Sequence, residues 1–259
     1  MIQPLPRASV LLIILSCTVS AVLAADRTVD LRYGMPTWHQ PLGIPGDWHK
    51  PMANERGAQE ACQYPEIQYL GYPFSISETF QLRNTNATIA ESVERTKAIQ
   101  ELCVQHGKEL VLYISMGFGN PYGDPWNVEI VHKWVDNLVP FGIRIFSLSD
   151  TIGCSNPENI SYLFGNLIPA YPDIEFGAHL HTLPGNWREK TDAAWRNGCR
   201  RYDGAMRGFG GCPMAKDDLT GNMATENLVA FFDDVQAELG MDRAAFGEGW
   251  RMAGTVFPH

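Results

Sequence analysis

From residue 52 onward, apolar and polar positions alternate between two regimes. Short apolar runs six to twelve residues long are followed by longer stretches with apolar residues every three or four positions. The short runs read as strands centred near residues 69, 112, 146, 177 and 203: Glu66–Ser77, Glu109–Ser115, Ile143–Ser149, Ile174–His181 and Arg200–Ala205. The periodic stretches read as helices over Ala53–Ala61, Thr88–His106, the segment ending at Leu138, Pro157–Pro169, Trp187–Arg196 and Ala224–Leu239. Asn86 or Thr88 is available to cap the second of these helices and Gly107 to stop it. Strands alternating with helices at this spacing imply consecutive βα units around a parallel sheet. Five units are clear. Polar residues gather just after each strand, where a (β/α)8 barrel of the TIM type keeps its chemistry.

The first 51 residues do not continue this pattern, so the barrel is expected to be incomplete or altered at its N-terminus. Residues 1–25 form an apolar leader. One basic residue, Arg7, precedes the run Ala8–Leu23, and Val22-Leu-Ala24 fits a small-residue cleavage site. The run is short for a membrane span. It reads as a secretory signal, as an aberrant start, or as one strand or helix of the fold. Residues 26–51 are rich in Pro and Gly and read as an irregular segment, with a short strand over Asp26–Tyr33 and surface histidines at His39 and His49. Residues 52–259 form the barrel domain.

Composition narrows the classes. With 259 residues, 45% hydrophobic and 19% charged, the chain fits one large domain with a full core and is not of the disordered class. A formal net charge of -9 disfavours nucleic acid as a partner but leaves an anionic small substrate open. Six cysteines show no CxxC pairing, which suits a reducing, cytoplasmic compartment better than a disulfide framework. A true signal peptide would instead direct the chain outward. Cys62, Cys103, Cys154 and Cys199 read as small buried apolar residues.

The chemistry concentrates between Phe176 and Asn222. His179 and His181 lie two apart at the end of a strand, hence on one face, where two imidazoles can share a metal ion or sit hydrogen-bonded in the core. Gly208-Phe-Gly-Gly-Cys-Pro213 places Cys212 in a shaped loop suited to an acid/base thiol. Asp150 and Thr151 follow one strand, and Asp150 reads either as a functional carboxylate or as a turn former. Ser115 and Asn120 follow another and are positioned to line a substrate pocket, together with Thr151, Gly210 and Gly211. Asn222 after Gly221 fits a left-handed turn or a ligand role.

Several of these motifs together resemble the hydroxymethylglutaryl-CoA lyase family of metal-dependent TIM-barrel enzymes. They are Gly208-Phe-Gly-Gly-Cys-Pro-Met-Ala215 with Gly221-Asn-Met-Ala-Thr-Glu226, Ser149-Asp-Thr-Ile-Gly153, Ala178-His-Leu-His181 and Ile76-Ser-Glu-Thr-Phe80 with Arg83-Asn-Thr-Asn86. The resemblance runs from about residue 54 to residue 239. It implies His179, His181 and Asn222 as ligands of a divalent cation, magnesium or manganese, with no organic cofactor. It also implies Cys212 as the catalytic thiol, Asp150 as an acid beside the reacting centre, an acyl-CoA substrate and a homodimer. The implied reaction is retro-Claisen cleavage of 3-hydroxy-3-methylglutaryl-CoA to acetyl-CoA and acetoacetate, with His179 counted among the catalytic residues. In such enzymes this chemistry serves leucine degradation and ketone-body formation. The family also draws an Arg-Asp pair from its first strand and a Glu from its second. No match for these occurs here: Pro6-Arg7-Ala8 lacks the Asp, and Asp26-Arg27 reverses the order. Thr182 also stands where the family usually has Asp. An inactive or partner-dependent barrel portion, or a related Claisen-type acyltransferase, is therefore the alternative reading.

Overall fold

The structure, a computed structural model, describes residues 18–24, 28–34, 48–51, 54–210 and 221–256, with side chains described for 54–210 and 221–255. Five parallel strands, β4 (Ile67–Ser75), β5 (Glu109–Ser115), β6 (Ile145–Ser149), β7 (Glu175–His179) and β8 (Arg201–Ala205), pair in sequence order and curl into a half-barrel. All five fall where the apolar runs predict. Between them lie α1 (Glu55–Cys62), which precedes β4, then α2 (Glu78–Thr85), α3 (Ile89–His106), α4 (Val128–Leu138), α5 (Pro157–Ala170) and α6 (Trp187–Arg196). After β8 come α7 (Thr225–Asp234) and α8 (Arg243–Val256).

Three further strands close the sheet: β1 (Thr18–Ala24), β2 (Thr28–Gly34) and β3 (Trp48–Pro51). β1 runs antiparallel to both β2 and β8, while β2–β3 and β3–β4 are parallel. Eight strands therefore close the barrel, but its first part departs from the (β/α)8 plan. The expected cleavage site, Val22-Leu-Ala24, lies within β1. β2 falls on the short strand expected over Asp26–Tyr33, and β3 is a second strand in the 26–51 segment otherwise expected to be irregular. No helix among the described residues is long and apolar enough to cross a membrane.

Alternation along the strands separates two faces. Tyr72 reaches Ser92 of α3, Phe74 packs on Trp134 of α4, and Tyr202 packs on Phe232 of α7, so these positions face the helices. Their neighbours face the barrel interior, which is unusually polar: Ser115, Ser147, Ser149, His179, Arg201 and Asp203. Arg201 is 1% exposed, lies over the Tyr69 ring and pairs with Glu175 at 3.3 Å. Gly177 makes room for it, since a Cβ there would stand 2.8 Å from Arg201 Cδ.

Local chemistry sets the helix ends. Thr88 and Glu91 form a reciprocal capping box on α3, which closes at Gly107 in the left-handed conformation. Three features escaped the periodicity. α2 is short and only weakly amphipathic, and Ser77 caps it. α8 carries Gly247 and Gly254 but is started by Asp242, whose Oδ1 accepts from the N–H groups of Ala244 and Ala245. α7 stops at Asp234 rather than Leu239, because Gln236 turns left-handed and Ala237 N–H closes back on Phe232 O. Ala237 and Leu239 are buried from the turn that follows, so the apolar period outlasts the helix.

One loop supports a prediction. Asp124 ties the β5–α4 loop to the start of α2, accepting from Ser77 Oγ at 2.5 Å, Thr79 N at 2.9 Å and Thr79 Oγ1 at 3.0 Å. The Ser77 hydroxyl foremost holds its carboxyl below the usual carboxylate range. Its folded pKa is depressed, so its contribution is complete above the unfolded value of about 4 and is lost as pH falls through the folded value. Asp124→Ala is expected to lower stability at neutral pH and to lower it less in strong acid, where the carboxyl is protonated in both states. Urea melts at both pH values measure this, and an equal loss at both would refute the assignment.

Candidate functional site

The C-terminal ends of β5 to β8 converge on one mouth of the barrel, where the two histidines sit. His179 ends β7 and His181 follows it, 4% exposed, with ring centroids 5.6 Å apart. The edge of Tyr113 from β5 packs against His179 at 5.5 Å. His181 forms an antiparallel bridge with Asn222, which brings the segment after the Gly-rich loop alongside the histidine pair. Asn222 Nδ2 donates to Phe209 O at 2.8 Å, which turns the amide so that its oxygen is the group left over. Gly208 and Gly210 permit this approach. Both have positive φ, and a Cβ would stand 2.9 Å from Asn222 O in one case and from Asn222 Nδ2 in the other.

Beneath this layer lies a carboxylate that the sequence reading passed over. Asp203 pairs in register with His179 across β7 and β8, is 2% exposed, and accepts from Ser147 Oγ at 3.1 Å. Its Oδ2 lies 3.3 Å from His179 Nδ1. The contact is close in distance but off the line of a hydrogen bond, and Nδ1 is a buried nitrogen without a hydrogen-bond partner. A cation fits this donor set: two imidazoles on one face, an amide oxygen beside them, and a carboxylate behind one ring. The usual second shell of a metal-bound histidine has that form. Among the described residues no group of three or more His, Cys, Asp or Glu is placed to hold a metal ion, so an oxygen such as that of Asn222 would have to complete the set.

Asp150 is placed differently from a carboxylate open to a reacting centre. It is wholly buried; Oδ2 accepts from Lys190 Nζ at 2.8 Å and from Ser155 Oγ at 2.5 Å, and Oδ1 accepts from Ser155 N at 2.9 Å. Lys190, 1% exposed on α6, also donates to Gly153 O and to His181 O. The pair thus clamps the loop after β6 to the chain segment bearing His181. No strand-end pattern marks Lys190, because it reaches the rim from the first turn of a helix.

The expected pocket residues hold the rim together. Thr151 Oγ1 accepts from Met116 N at 2.8 Å, linking the ends of β5 and β6. Ser115 is 6% exposed, and its carbonyl accepts from Ile76 N. Asn120 folds its own loop, donating to Asp124 O and accepting from Tyr122 N and Asp124 N. Gly210 stands against Asn222. Gly211 and Cys212 lie outside the described residues, as do Arg7 and the Asp26-Arg27 pair; His39 and the side chain of His49 do too.

Of the other cysteines, Cys62, Cys103 and Cys199 are buried as expected, and burial pushes the thiols of Cys103 and Cys199 up to about 12. Cys154 departs from expectation. It is exposed, though its Sγ turns inward to Phe118 O at 3.2 Å, and desolvation followed by the nearby Asp150 charge raises it to about 11. A thiol so raised is a poor nucleophile near neutral pH.

Comparison with known proteins identifies relatives of this chain and of its fold. The sequence model of the family described as HMGL-like matches residues 53–248. The chain is 29% identical over 200 residues to hydroxymethylglutaryl-CoA lyase YngG of Bacillus subtilis, covering 76% of this chain and 64% of that protein. It is 28% identical over 192 residues to (R)-citramalyl-CoA lyase of Chloroflexus aurantiacus, covering 74% and 60%. The chain thus spans less than two thirds of the length of these relatives. The B. subtilis HMG-CoA lyase structure superposes with a TM-score of 0.74 at 26% identity, covering 84% of this chain and 72% of that one. The A. baumannii HMG-CoA lyase, solved with coenzyme A and 3-methylmalate, gives 0.74 at 25% identity, covering 85% and 71%. With the family model matched from residue 53 to residue 248, most of its length, this chain is a member of the HMGL-like family.

Proposed function

We propose that this site cleaves a carbon–carbon bond in a 3-hydroxyacyl-CoA, with 3-hydroxy-3-methylglutaryl-CoA as the substrate and acetyl-CoA and acetoacetate as products. The observation that carries the reading is the His179–His181 pair at the barrel mouth, bridged to Asn222. In this reading His179, His181 and Asn222 hold a divalent cation, Mg²⁺ or Mn²⁺, and no organic cofactor takes part. When bound, the cation lowers the cost of forming an alkoxide at the substrate's tertiary hydroxyl near neutral pH. Two imidazoles tilt the site toward Mn²⁺, while family kinship keeps Mg²⁺ in play.

The chain's own groups do the rest. Cys212 moves a proton at the reacting centre from the Gly-rich loop, which Gly210 and Gly211 shape. A base takes the 3-hydroxyl proton, the C2–C3 bond breaks to give acetoacetate, and the acetyl-CoA enolate takes up at carbon the proton that Cys212 delivers. Asp150, expected beside the reacting centre, acts instead from beneath as a positioning residue, holding Lys190 and so the His181 carbonyl. Ser115, Asn120 and Thr151 shape the wall on which the acyl-CoA rests.

The test is metal analysis of the purified chain coupled to an acetoacetate-release assay. Bound Mn²⁺ or Mg²⁺ with release of acetoacetate is the expected result; a chain that binds neither cation, or that binds one and cleaves no 3-hydroxyacyl-CoA, sinks the proposal. The second reading is an inactive or partner-dependent barrel portion, or a related acyltransferase, favoured by Thr182 and by the unmatched Arg-Asp pair. Tight metal without turnover points to it. Citramalyl-CoA belongs in the substrate panel, since one relative bears that name. The domain division at about residue 52, a homodimeric assembly and a cytoplasmic location complete the proposal. The location is supported by the free thiols of Cys62, Cys103, Cys154 and Cys199, and a secreted chain would follow if residues 1–24 acted as a leader.

A further inference from the structure

We infer that Asp203 is a positioning residue for His179. Its carboxylate, held by Ser147, fixes the imidazole as the Nδ1–H tautomer and so turns the lone pair of Nε2 toward the barrel mouth. The inference rests on the proposed reading of His179 as a metal ligand, because only then does the choice of nitrogen matter for function.

Three observations carry it. Nδ1 is the buried nitrogen of a side chain that is 19% exposed, so the open side of the ring is the Nε2 side. The only carboxylate placed against Nδ1 among the described residues is that of Asp203, 3.3 Å away and aligned by strand register rather than by a flexible loop. Asp203 itself cannot swing freely: it is 2% exposed, and Ser147 Oγ donates to the same oxygen that faces His179. A neutral imidazole carries one proton, and an acceptor beside Nδ1 favours the tautomer with the proton there. The present ring orientation leaves that bond off its line. A small rotation about the ring's terminal torsion, which is soft, would complete it. Tyr113 and His181, packed on the same ring, limit the rotation to a narrow range.

The decisive readout is the tautomer, which a merely space-filling role would not move. Nitrogen NMR of histidine-labelled, metal-free protein at about pH 8, above the ordinary histidine pKa, reports it directly. The wild-type chain is expected to show His179 as Nδ1–H, and Asp203→Asn to shift it toward Nε2–H. In a Mn²⁺ titration followed by electron paramagnetic resonance, the same variant is expected to bind about 10–100-fold more weakly. An unchanged tautomer in Asp203→Asn overturns the inference whatever the affinity does. A shifted tautomer with unchanged Mn²⁺ binding upholds the positioning role and removes His179 from the ligand set, so the two readings fail separately. If Asp203→Asn does not fold, Ser147→Ala replaces it: a partial shift of the same tautomer supports the inference, and none overturns it.

Discussion

Lys190→Met will destabilise the chain by about 3–5 kcal/mol, the loss typical of stripping one partner from a buried ion pair. Lys190 and Asp150 are 1% and 0% exposed, and their 2.8 Å contact has almost no access to water. Removing the ammonium leaves a carboxylate in a desolvated site with only Ser155 to satisfy it, and releases the carbonyls of Gly153 and His181. Urea unfolding at neutral pH measures the loss. The double variant Asp150→Asn with Lys190→Met should recover part of it, since the stranded charge is gone, and the cycle gives the coupling. A loss below about 1 kcal/mol would mean that the pair behaves like an exposed one and clamps nothing. Because the same ammonium holds the His181 carbonyl, weaker Mn²⁺ binding is expected to accompany the lost stability.

Cys212→Ala will remove turnover while leaving metal content unchanged. Acid/base groups are typically worth about 10²–10⁴ in rate, so acetoacetate release should fall by at least that lower bound. The resemblance puts Cys212 in this role, and the other cysteines among the described residues are poorly suited to it. Cys103, Cys199 and Cys154 have thiols raised to about 11 or 12, and Cys62 is raised as well, each chiefly by desolvation. None is suited to moving a proton near neutral pH. A Cys212→Ala chain with full activity would withdraw the acid/base role and shift attention to the histidine pair. A chain that also lost its metal would show that the loop supports the cation site instead.

Much of the barrel is legible in the sequence. The apolar runs located β4 to β8 to within a few residues, because a strand buried on both sides must be nearly continuous in hydrophobic character. Thr88 and Gly107 bounded α3, since a capping box and a left-handed stop are local chemistry. Where the reading failed, long-range contacts had overruled local pattern. Ala237 and Leu239 kept a helical period after α7 had ended, because both are buried from a turn. The pairing of β1 with β8 joins residues nearly two hundred positions apart, and nothing in the run from Ala8 to Leu23 announces it.

The site divides in the same way. The spacing of His179 and His181 was enough to put two imidazoles on one face of a strand, and the Gly-Phe-Gly-Gly-Cys-Pro text was enough to mark a loop with chemistry in it. Only the closed sheet decided that Asp203 lies against His179 and that Asp150 is spent on Lys190. Register and helix docking are cooperative properties of the whole barrel. A carboxylate's role depends on which of several distant partners the packing brings within about 3 Å, and that is information no single stretch of chain contains.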